Sequence, residues 1–506
     1  MGEDGGVPDR APVTLQVRPK GQVPNPKAKP KAQKPKAPAQ SAYNPRVTTT
    51  HTPSSLERRL GPLDGAAIIV SNVIGGGILF TPPLIAASVP HPWLYLSLWL
   101  VGGALAFAGA MAYAELAALR PLAGGEYVYL REAYGRLAGF LTGWTSFVAG
   151  FSGAMAASAV VLVLYLDRFI PGVADETPFF VIPVPYLPLT LSRRTIVAIA
   201  AVALAAFVHI RGVGPGRIVS NVLATLKVGA LVAFIGLGLS IGAGSSANLQ
   251  QTAGAVMPTA WLFALIPIMF TYSGWNAAAY MAEEIRNPGR NVPMALAIGT
   301  VAVIAIYLLL NVLFLYVMPV GELAAVKGSV LDVIAERLLG ARAGDIMGVV
   351  SIISLAAGIN AWTFAGPRVY FAMARDGVFF PAAARLHPRY KTPAVSIIAQ
   401  AAWTILLIVT GSLDALANYV GFAITLFAGI AVAAVFVLRA KDPQAPRPFK
   451  ALGYPVAPAV FVLASLAIVL NAIYGNPGPS GAGALVIALG IPVYFWFRRY
   501  ANYPEA

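Results

Sequence analysis

The chain has 506 residues, of which 58% are hydrophobic and 11% are charged, and its formal net charge is +15. This composition and a mean hydropathy of +0.71 exclude an ordinary soluble globular domain. Apolar runs of roughly 20 residues recur along the sequence, which indicates a helical protein that crosses a membrane many times rather than a β-barrel. The absence of cysteine excludes disulfides, cysteine-based metal sites and a partner subunit linked by a disulfide. Cytoplasmic loops explain the positive charge, so no nucleic-acid partner is expected.

Residues 1–59 differ from the rest of the chain, because they are rich in Pro and Lys and have no apolar periodicity. This composition predicts a disordered cytoplasmic tail, and the lack of a continuous apolar segment argues against a cleaved signal peptide. Contact of its basic side chains with anionic lipid is the less favoured alternative to a solvated tail that sets the topology. The predicted transmembrane domain spans residues 60–500, and residues 501–506 form a short cytoplasmic C-terminus.

The apolar runs predict about twelve membrane-spanning helices embedded in the lipid bilayer. The predicted spans are 64–88, 93–119, 136–167, 192–210, 219–241, 258–285, 293–319, 343–375, 393–411, 413–439, 454–474 and 481–499. When the N-terminus is placed inside, most Lys and Arg residues of the loops fall on the inner side. Those that fall on the outer side are Arg168, Arg193, Arg194, Lys327, Arg337 and Arg342. This asymmetry predicts a multi-pass protein of the cell membrane with both termini in the cytoplasm.

Three consecutive glycines, Gly75, Gly76 and Gly77, lie in the middle of the first predicted span. Each glycine weakens a helix by roughly 1 kcal/mol relative to Ala, and an unwound segment is tolerated in the membrane only where it is buried in protein or lines a cavity. A helix that restarts there presents free N–H groups, which attract an anionic group such as a carboxylate. Close helix packing through small residues is an equally weighted alternative for this segment alone.

The sixth predicted span contains a second interruption, within Phe270-Thr271-Tyr272-Ser273-Gly274-Trp275-Asn276. It lies five spans after the first interruption. Paired interrupted helices in corresponding positions of two halves are the best sequence indication of a central transport site. The two interruptions together therefore favour a transporter over simple helix packing.

Lys227 is the one clear ionisable residue inside a predicted span, about eight residues, or roughly 12 Å, from the start of that span. A lysine in the membrane interior is costly and is by default a candidate functional residue, because burial disfavours its charged form and allows proton exchange. The alternative is that its side chain extends to the membrane surface.

Four sequence motifs in the same order resemble those of the amino acid–polyamine–organocation superfamily, in particular its L-type amino acid transporter branch. The motifs are Ile74–Ile78, the Pro121–Tyr127 loop, Phe270–Asn276 with the following Glu283–Pro288, and Gly366–Gly377. The resemblance covers residues 60–500. It implies an all-α membrane protein with the inverted five-plus-five helix repeat of the bacterial leucine transporter fold, two additional C-terminal helices, and broken helices 1 and 6.

The resemblance also implies an α-amino acid substrate and a set of binding residues. The substrate carboxylate would meet the N–H groups of Gly75, Gly76 and Gly77, at the break in helix 1. The substrate ammonium would meet carbonyl groups, here those of Val73, Phe270 and Ser273. Phe270 would also gate the site, and Trp275 and Asn276, which follow the break at Gly274, would shape the side-chain end of the pocket.

Lys227 matches the position of a lysine that, in related transporters, takes the place of a sodium ion bridging helices 1 and 8. The candidate sodium-binding hydroxyls on helix 8 are Ser351 and Ser354, and a nearby ammonium would repel sodium. We therefore expect sodium-independent transport. Whether Lys227 moves a proton or only braces the two helices is left open, as is the choice between exchange and proton coupling.

Small residues after Asn276 and the apparent absence of a pocket carboxylate predict neutral L-amino acids as substrates. Charged residues at the ends of inner helices are predicted to form ion pairs that gate the inner vestibule, with solvated helix ends as an equal alternative. These residues are Glu115, Glu126, Glu283, Glu284 and Arg286.

A membrane enzyme would need intramembrane clusters of His, Asp or Glu, which the sequence lacks, so an enzyme is not expected. No nucleotide-binding loop or metal-ligand spacing occurs, so no cofactor is expected and transport would be secondary rather than ATP-driven. A transporter-derived amino acid sensor is the main alternative, and an ion channel is a weaker one. Without cysteine, a disulfide-linked heavy chain of the kind found with animal relatives is also excluded.

Overall fold

A computed structural model of the chain describes residues 56–184, 189–240, 244–411, 413–475 and 477–500. Residues 1–55 of the predicted tail and the predicted C-terminus 501–506 lie outside the described residues. The last residues of the predicted tail are described, and Leu56 is buried and donates its backbone N–H to the Glu283 carboxylate over 3.2 Å.

Seventeen α-helices and one two-stranded sheet make up the described part of the chain. The helices are α1 Pro62–Val73, α2 Gly76–Ser88, α3 Pro92–Leu119, α4 Glu126–Tyr134, α5 Arg136–Thr145, α6 Phe151–Asp167, α7 Arg193–Ile210, α8 Val213–Ser240, α9 Pro258–Thr271, α10 Pro288–Val317, α11 Val320–Ala324, α12 Val330–Leu339, α13 Ala341–Arg375, α14 Ala394–Val409, α15 Leu413–Lys441, α16 Val456–Gly475 and α17 Pro477–Tyr500. The strands β1 Phe180–Ile182 and β2 Leu189–Leu191 pair in antiparallel orientation.

Nine helical segments in the described residues are long and apolar enough to cross a membrane, and the bent pair α1 and α2 together provides a tenth. Two shorter apolar helices, α9 and α14, accompany them. The nine long segments are apolar and have at least 18 residues each, which matches the thickness of a bilayer core. The chain is therefore a multi-pass helical membrane protein.

The first predicted span is made of two helices rather than one. Helix α1 ends at Val73, α2 begins at Gly76, and their axes differ by 50°. Gly75 between them has φ −143° and ψ −143°, outside the helical region. Helix α1 packs against α8, α10 and α13, so the junction lies inside the helix bundle.

The sixth predicted span is helical over only part of its length. Helix α9 ends at Thr271, a turn follows, and a short 3₁₀-helix covers Ala277–Met281. Gly274 in the turn has φ +102°, a backbone conformation that residues other than glycine rarely adopt.

The fifth predicted span begins earlier than the sequence analysis placed it. Helix α8 begins at Val213 rather than at residue 219. The additional first turn contains Gly-Pro-Gly at 214–216, and a proline is tolerated there because the N–H that it lacks would have no intrahelical partner.

Candidate functional site

The two interrupted segments lie side by side in the interior. A Cβ atom added to Gly77 would be 3.1 Å from the Thr271 Cα atom, and one added to Gly274 would be 3.2 Å from the Asn72 Cβ atom. The hydroxyl of Tyr307, on α10, lies 2.8 Å from the Val73 carbonyl oxygen and 3.2 Å from that of Thr271. Glycine at these positions therefore allows the two backbones to approach closely, and Tyr307 joins them.

Open space adjoins the start of α2. Gly75, Gly76 and Gly77 are partly exposed although the residues on either side, Ile74 and Ile78, are buried. A Cβ atom on Gly75 or Gly76 would meet nothing within 4 Å. The first N–H groups of a helix have no intrahelical acceptor, so α2 begins with unpaired donors and a partial positive charge beside this space.

A cleft lies beside the second interruption and encloses about 470 Å³, including open solvent. Its wall on α5 and α6 contains one turn of π-helix, Ser146–Gly150, a distortion frequent at functional sites. The residues that line the cleft are Glu126, Thr145, Ser146, Gly150, Phe151, Ser273, Gly274, Asn276, Tyr280, Trp362, Ala423, Ile424 and Phe427.

The structure brings three of the sequence-predicted site residues, Ser273, Gly274 and Asn276, into the cleft lining. Trp275 points elsewhere and packs against Tyr113 and against Phe461, with ring centroids 4.8 and 5.6 Å away.

Two further predicted residues lie beside the interruptions. Phe270, the predicted gate, is 48% exposed, and its carbonyl oxygen accepts the Ser273 N–H over 3.0 Å. Val73 is buried, and its carbonyl oxygen already contacts Tyr307. The Val73 carbonyl therefore keeps one lone pair for another donor.

Asn72 was not identified by the sequence analysis. Its side-chain amide is buried beside Gly274 and has no hydrogen-bond partner among the described residues. A buried amide without a partner is costly, so it provides a donor and an acceptor for a ligand or water next to the interruption. Its position just before the glycines was the only sequence signal.

Glu126 is a second site residue that the sequence analysis assigned differently. It was expected in a gating ion pair, but it lines the cleft and pairs with neutral groups instead. Its Oε1 atom accepts the Tyr113 hydroxyl over 2.5 Å and the Asn276 side-chain amide over 2.6 Å. Burial raises the pKa of the Glu126 carboxyl, and these hydrogen bonds partly offset the effect. The premise that no carboxylate reaches the pocket is therefore wrong.

Lys227 is fully buried and lies against the interrupted first span. Its Nζ atom donates to the carbonyl oxygens of Ser71, over 3.2 Å, and Ile74, over 2.5 Å. The alternative in which this side chain extends to the membrane surface is wrong. The two contacts fix the last turn of α1 and the first residue after it.

Three of the five predicted charged residues form ion pairs at the ends of helices. The Glu284 carboxylate is bidentate with Arg368 at 2.7 and 3.1 Å, and both side chains are almost completely buried. Glu283 pairs with Arg375 at 3.0 Å. Glu115 is the third of these residues and pairs with two arginines, Arg439 at 2.6 Å and Arg447 at 3.4 Å.

Arg286 is exposed and has no ion pair in the described ranges. Its backbone N–H donates to Leu60, whose N–H donates to Glu284, so the segment before α1 is tied to the end of the second interrupted span. Over the described residues, no group of three His, Cys, Asp or Glu side chains is placed to hold a metal ion.

The sequence profile of the amino acid permease family matches residues 60–497. The large neutral amino acids transporter small subunit 2 of Mus musculus is 30% identical over 462 residues, which cover 89% of this chain and 83% of that protein. The b(0,+)-type amino acid transporter 1 of Homo sapiens is 30% identical over 453 residues, covering 88% and 89%. The cystine/glutamate transporter of Homo sapiens is 28% identical over 458 residues, covering 89% and 87%. The chain belongs to the amino acid permease family, within the amino acid–polyamine–organocation superfamily that its motifs resemble.

Proposed function

We propose that this permease is a secondary transporter that moves L-α-amino acids across the cell membrane by alternating access. The observation that carries the proposal is the juxtaposition of the two interrupted segments, Asn72 beside Gly274 and Gly77 beside Thr271. A zwitterion needs an anion site and a cation site a few Å apart. A helix N-terminus supplies the first and unwound carbonyl groups supply the second, without a charged side chain.

In this proposal the substrate carboxylate binds the N–H groups of Gly75, Gly76 and Gly77, and the structure has open space beside the first two of these residues. The ammonium binds carbonyl groups of the unwound segments, those of Val73, Phe270 and Ser273. Phe270 closes over the bound substrate from its exposed position. The substrate side chain extends past Gly274 into the cleft that Asn276 lines.

We further propose twelve spans that form an inverted five-plus-five repeat followed by two C-terminal helices, with spans 1 and 6 broken. The order of the elements supports the repeat. A divided span followed by a long helix, short helices and a long helix occurs twice, first as α1/α2, α3, α4 and α5/α6, and then as α9 with its 3₁₀ extension, α10, α11/α12 and α13. The pairs α7–α8 and α14–α15 complete the halves, and α16 and α17 follow.

We propose that transport is sodium-independent, with Lys227 in place of a cation at the first interruption. The two hydrogen bonds from its Nζ atom to backbone carbonyls of that segment support this role. Either exchange or proton coupling is compatible with a lysine that braces the segment. Both termini are proposed to be cytoplasmic, and any partner subunit is held without a disulfide because the chain has no cysteine.

The proposal is tested by uptake of radiolabelled amino acids into proteoliposomes of the purified full chain, with protein-free liposomes as the control. Neutral L-amino acids, which the small residues after Asn276 favour, are tested first. The assay is run with and without internal amino acid, with and without an inward proton gradient, and with sodium or potassium.

Uptake that requires internal amino acid identifies an exchanger, and uptake driven by the proton gradient identifies a symporter. A requirement for sodium would contradict the assignment of Lys227. Binding of an amino acid without any flux would contradict transport and favour the alternative, an amino acid sensor.

A further inference from the structure

Glu126 is a buried carboxylate without a cationic partner. It is only 6% exposed, and its partners are the Tyr113 hydroxyl, the Asn276 amide and the Tyr280 hydroxyl. The other buried glutamates at these helix ends, Glu115, Glu283 and Glu284, each pair with arginine. In the described part of the chain, no Lys or Arg lies within ion-pair distance of Glu126 or lines the cleft. A buried carboxyl group in such a place is stabilised either by a proton, which its raised pKa favours, or by a positive charge from a ligand.

The remaining walls of the cleft are largely aromatic. Phe151 meets Tyr280 edge-on with ring centroids 5.2 Å apart, and it meets Trp362 at 5.4 Å. Phe427 lines the same space from α15. Aromatic faces attract organic cations, and the attraction increases when the cation is removed from water. An aromatic cleft that contains one carboxylate and no basic group is complementary to an ammonium or guanidinium group.

The cleft begins where the substrate main chain is proposed to bind. Ser273 and Gly274 belong to both regions, and Asn276, two residues later, donates directly to Glu126. A substrate held at the interruptions would therefore direct its side chain along the aromatic walls towards this carboxylate.

We propose that the cleft is the side-chain subsite for amino acids that carry a cationic side chain, with Glu126 as the residue that selects for the positive charge. The inference rests on the proposed function and specifies its substrate class. An apolar side chain in the same place would leave the carboxylate buried without a counter-charge, so the subsite discriminates against it as well as in favour of a cation. Neutral amino acids with a polar end remain weaker substrates, because they make hydrogen bonds without neutralising the charge.

The test compares substrates of nearly equal shape that differ in charge, in proteoliposomes of the full chain. L-Arginine is compared with L-citrulline, and L-lysine with L-norleucine, as competitors of the best-transported labelled amino acid. The proteins are wild type, Glu126→Gln, Glu126→Asp and the control Glu132→Gln. Glu132 lies on the same helix α4 but outside the cleft, beside Arg120 and Arg131.

We expect wild type and Glu132→Gln to prefer arginine over citrulline by about tenfold or more, because citrulline cannot make the charge-assisted contact with Glu126. Glu126→Gln should abolish this preference while citrulline competes within about twofold of its wild-type value. Glu126→Asp keeps the charge one methylene further away and should reduce the preference without abolishing it. Retained uptake of the labelled amino acid, and its competition by citrulline, show that a variant is folded.

The proposal is overturned if the wild-type protein does not prefer the cationic member of either pair, a result that needs no variant. It is also overturned if the preference persists in Glu126→Gln or is unchanged in Glu126→Asp. If Glu126→Gln weakens all substrates equally and removes the pH dependence of uptake, Glu126 binds a proton rather than the substrate side chain. Absence of transport and binding for every amino acid would instead contradict the proposed function itself.

Discussion

Lys227 supports the first interrupted segment through two contacts that no other described side chain provides. Replacement by Met keeps the length of the side chain but removes the donor from the carbonyl groups of Ser71 and Ile74. Each buried carbonyl left unpaired costs about 1–3 kcal/mol. We therefore expect Lys227→Met to reduce the initial rate of uptake in proteoliposomes by about tenfold or more. Without the ammonium group, the backbone carbonyl groups at the break in the first span are no longer held in position.

The matched control is Lys327→Met, since Lys327 is exposed in the loop between α11 and α12. It should leave the uptake rate and the unfolding temperature within experimental error of wild type. Uptake by Lys227→Met at the wild-type rate would show that the ammonium has no role in transport.

Two neighbouring glycines separate binding from folding. A methyl group on Gly76 would enter open space, whereas one on Gly77 would lie 3.0 Å from the Thr271 Cγ2 atom and 3.1 Å from its Cα atom. We expect Gly76→Ala to fold like wild type but to lose about tenfold or more in apparent substrate affinity, because the methyl group occupies the proposed carboxylate position. Gly77→Ala should lower the free energy of unfolding by about 1–3 kcal/mol through overpacking against α9.

Thermal unfolding in detergent and substrate binding are measured on both variants. If Gly76→Ala binds substrate as tightly as wild type, the carboxylate does not bind at the start of α2. If Gly77→Ala is as stable as wild type, the close contact with Thr271 relaxes without cost.

At the scale of the elements, one buried ion pair connects α13 to the segment that follows α9. Arg368 and Glu284 are 1% and 0% exposed, and Arg368 also donates to the Phe364 carbonyl over 2.7 Å. Removing one member of a buried pair leaves an uncompensated charge and costs about 3–5 kcal/mol. We expect Arg368→Met to lower the unfolding temperature strongly, and the double variant with Glu284→Gln to recover part of the loss.

The exposed pair between Arg337 and Glu322, whose side chains are 47% and 53% exposed, is the comparison. Arg337→Met should cost no more than about 1 kcal/mol, because solvent screens exposed pairs. Equal losses in the two arginine variants, or no recovery in the double variant, would mean that the buried pair does not stabilise the joint between these elements.

The positions of the helices follow from local sequence patterns. Apolar runs indicate the spans. Gly75–Gly77 and Gly274 predict where a helix stops, because glycine has a low helix propensity wherever it occurs. The sequence analysis placed the start of α8 at residue 219, where the apolar run begins, whereas the helix already includes Gly214 and Pro215 in its first turn. Local pattern therefore predicts where a helix stops better than where it starts.

The contacts of the site are less predictable, because they join residues that are distant in the chain. Tyr307 reaches Val73 across 234 positions, and Glu126 reaches Asn276 across 150. The turn at Gly274 determines that Asn276 faces the cleft while Trp275 packs against Tyr113, and no periodicity describes such a turn. Tertiary packing, rather than local propensity, selects the cleft lining.

For the whole molecule, the distribution of Lys and Arg among the loops predicts on which side of the membrane each loop lies. Lys and Arg residues favour the cytoplasmic side of membrane proteins, and the loop after α15 is basic, with Arg447 and Lys450. The loop between α8 and α9 contains no Lys or Arg. If both termini are cytoplasmic, the first loop faces the cytoplasm and the second faces outwards.

Since the chain contains no cysteine, single cysteines can be introduced without a background. Ser246→Cys places an exposed thiol in the loop between α8 and α9, and Gln444→Cys places one in the loop after α15. In intact cells a membrane-impermeant maleimide should label Ser246→Cys, and it should label Gln444→Cys only after permeabilisation. The wild-type protein, which has no thiol, should stay unlabelled throughout. The opposite pattern would invert the topology and place both termini outside. Labelling of both positions in intact cells would show that an even number of spans separates the two loops, which contradicts the five spans proposed between them.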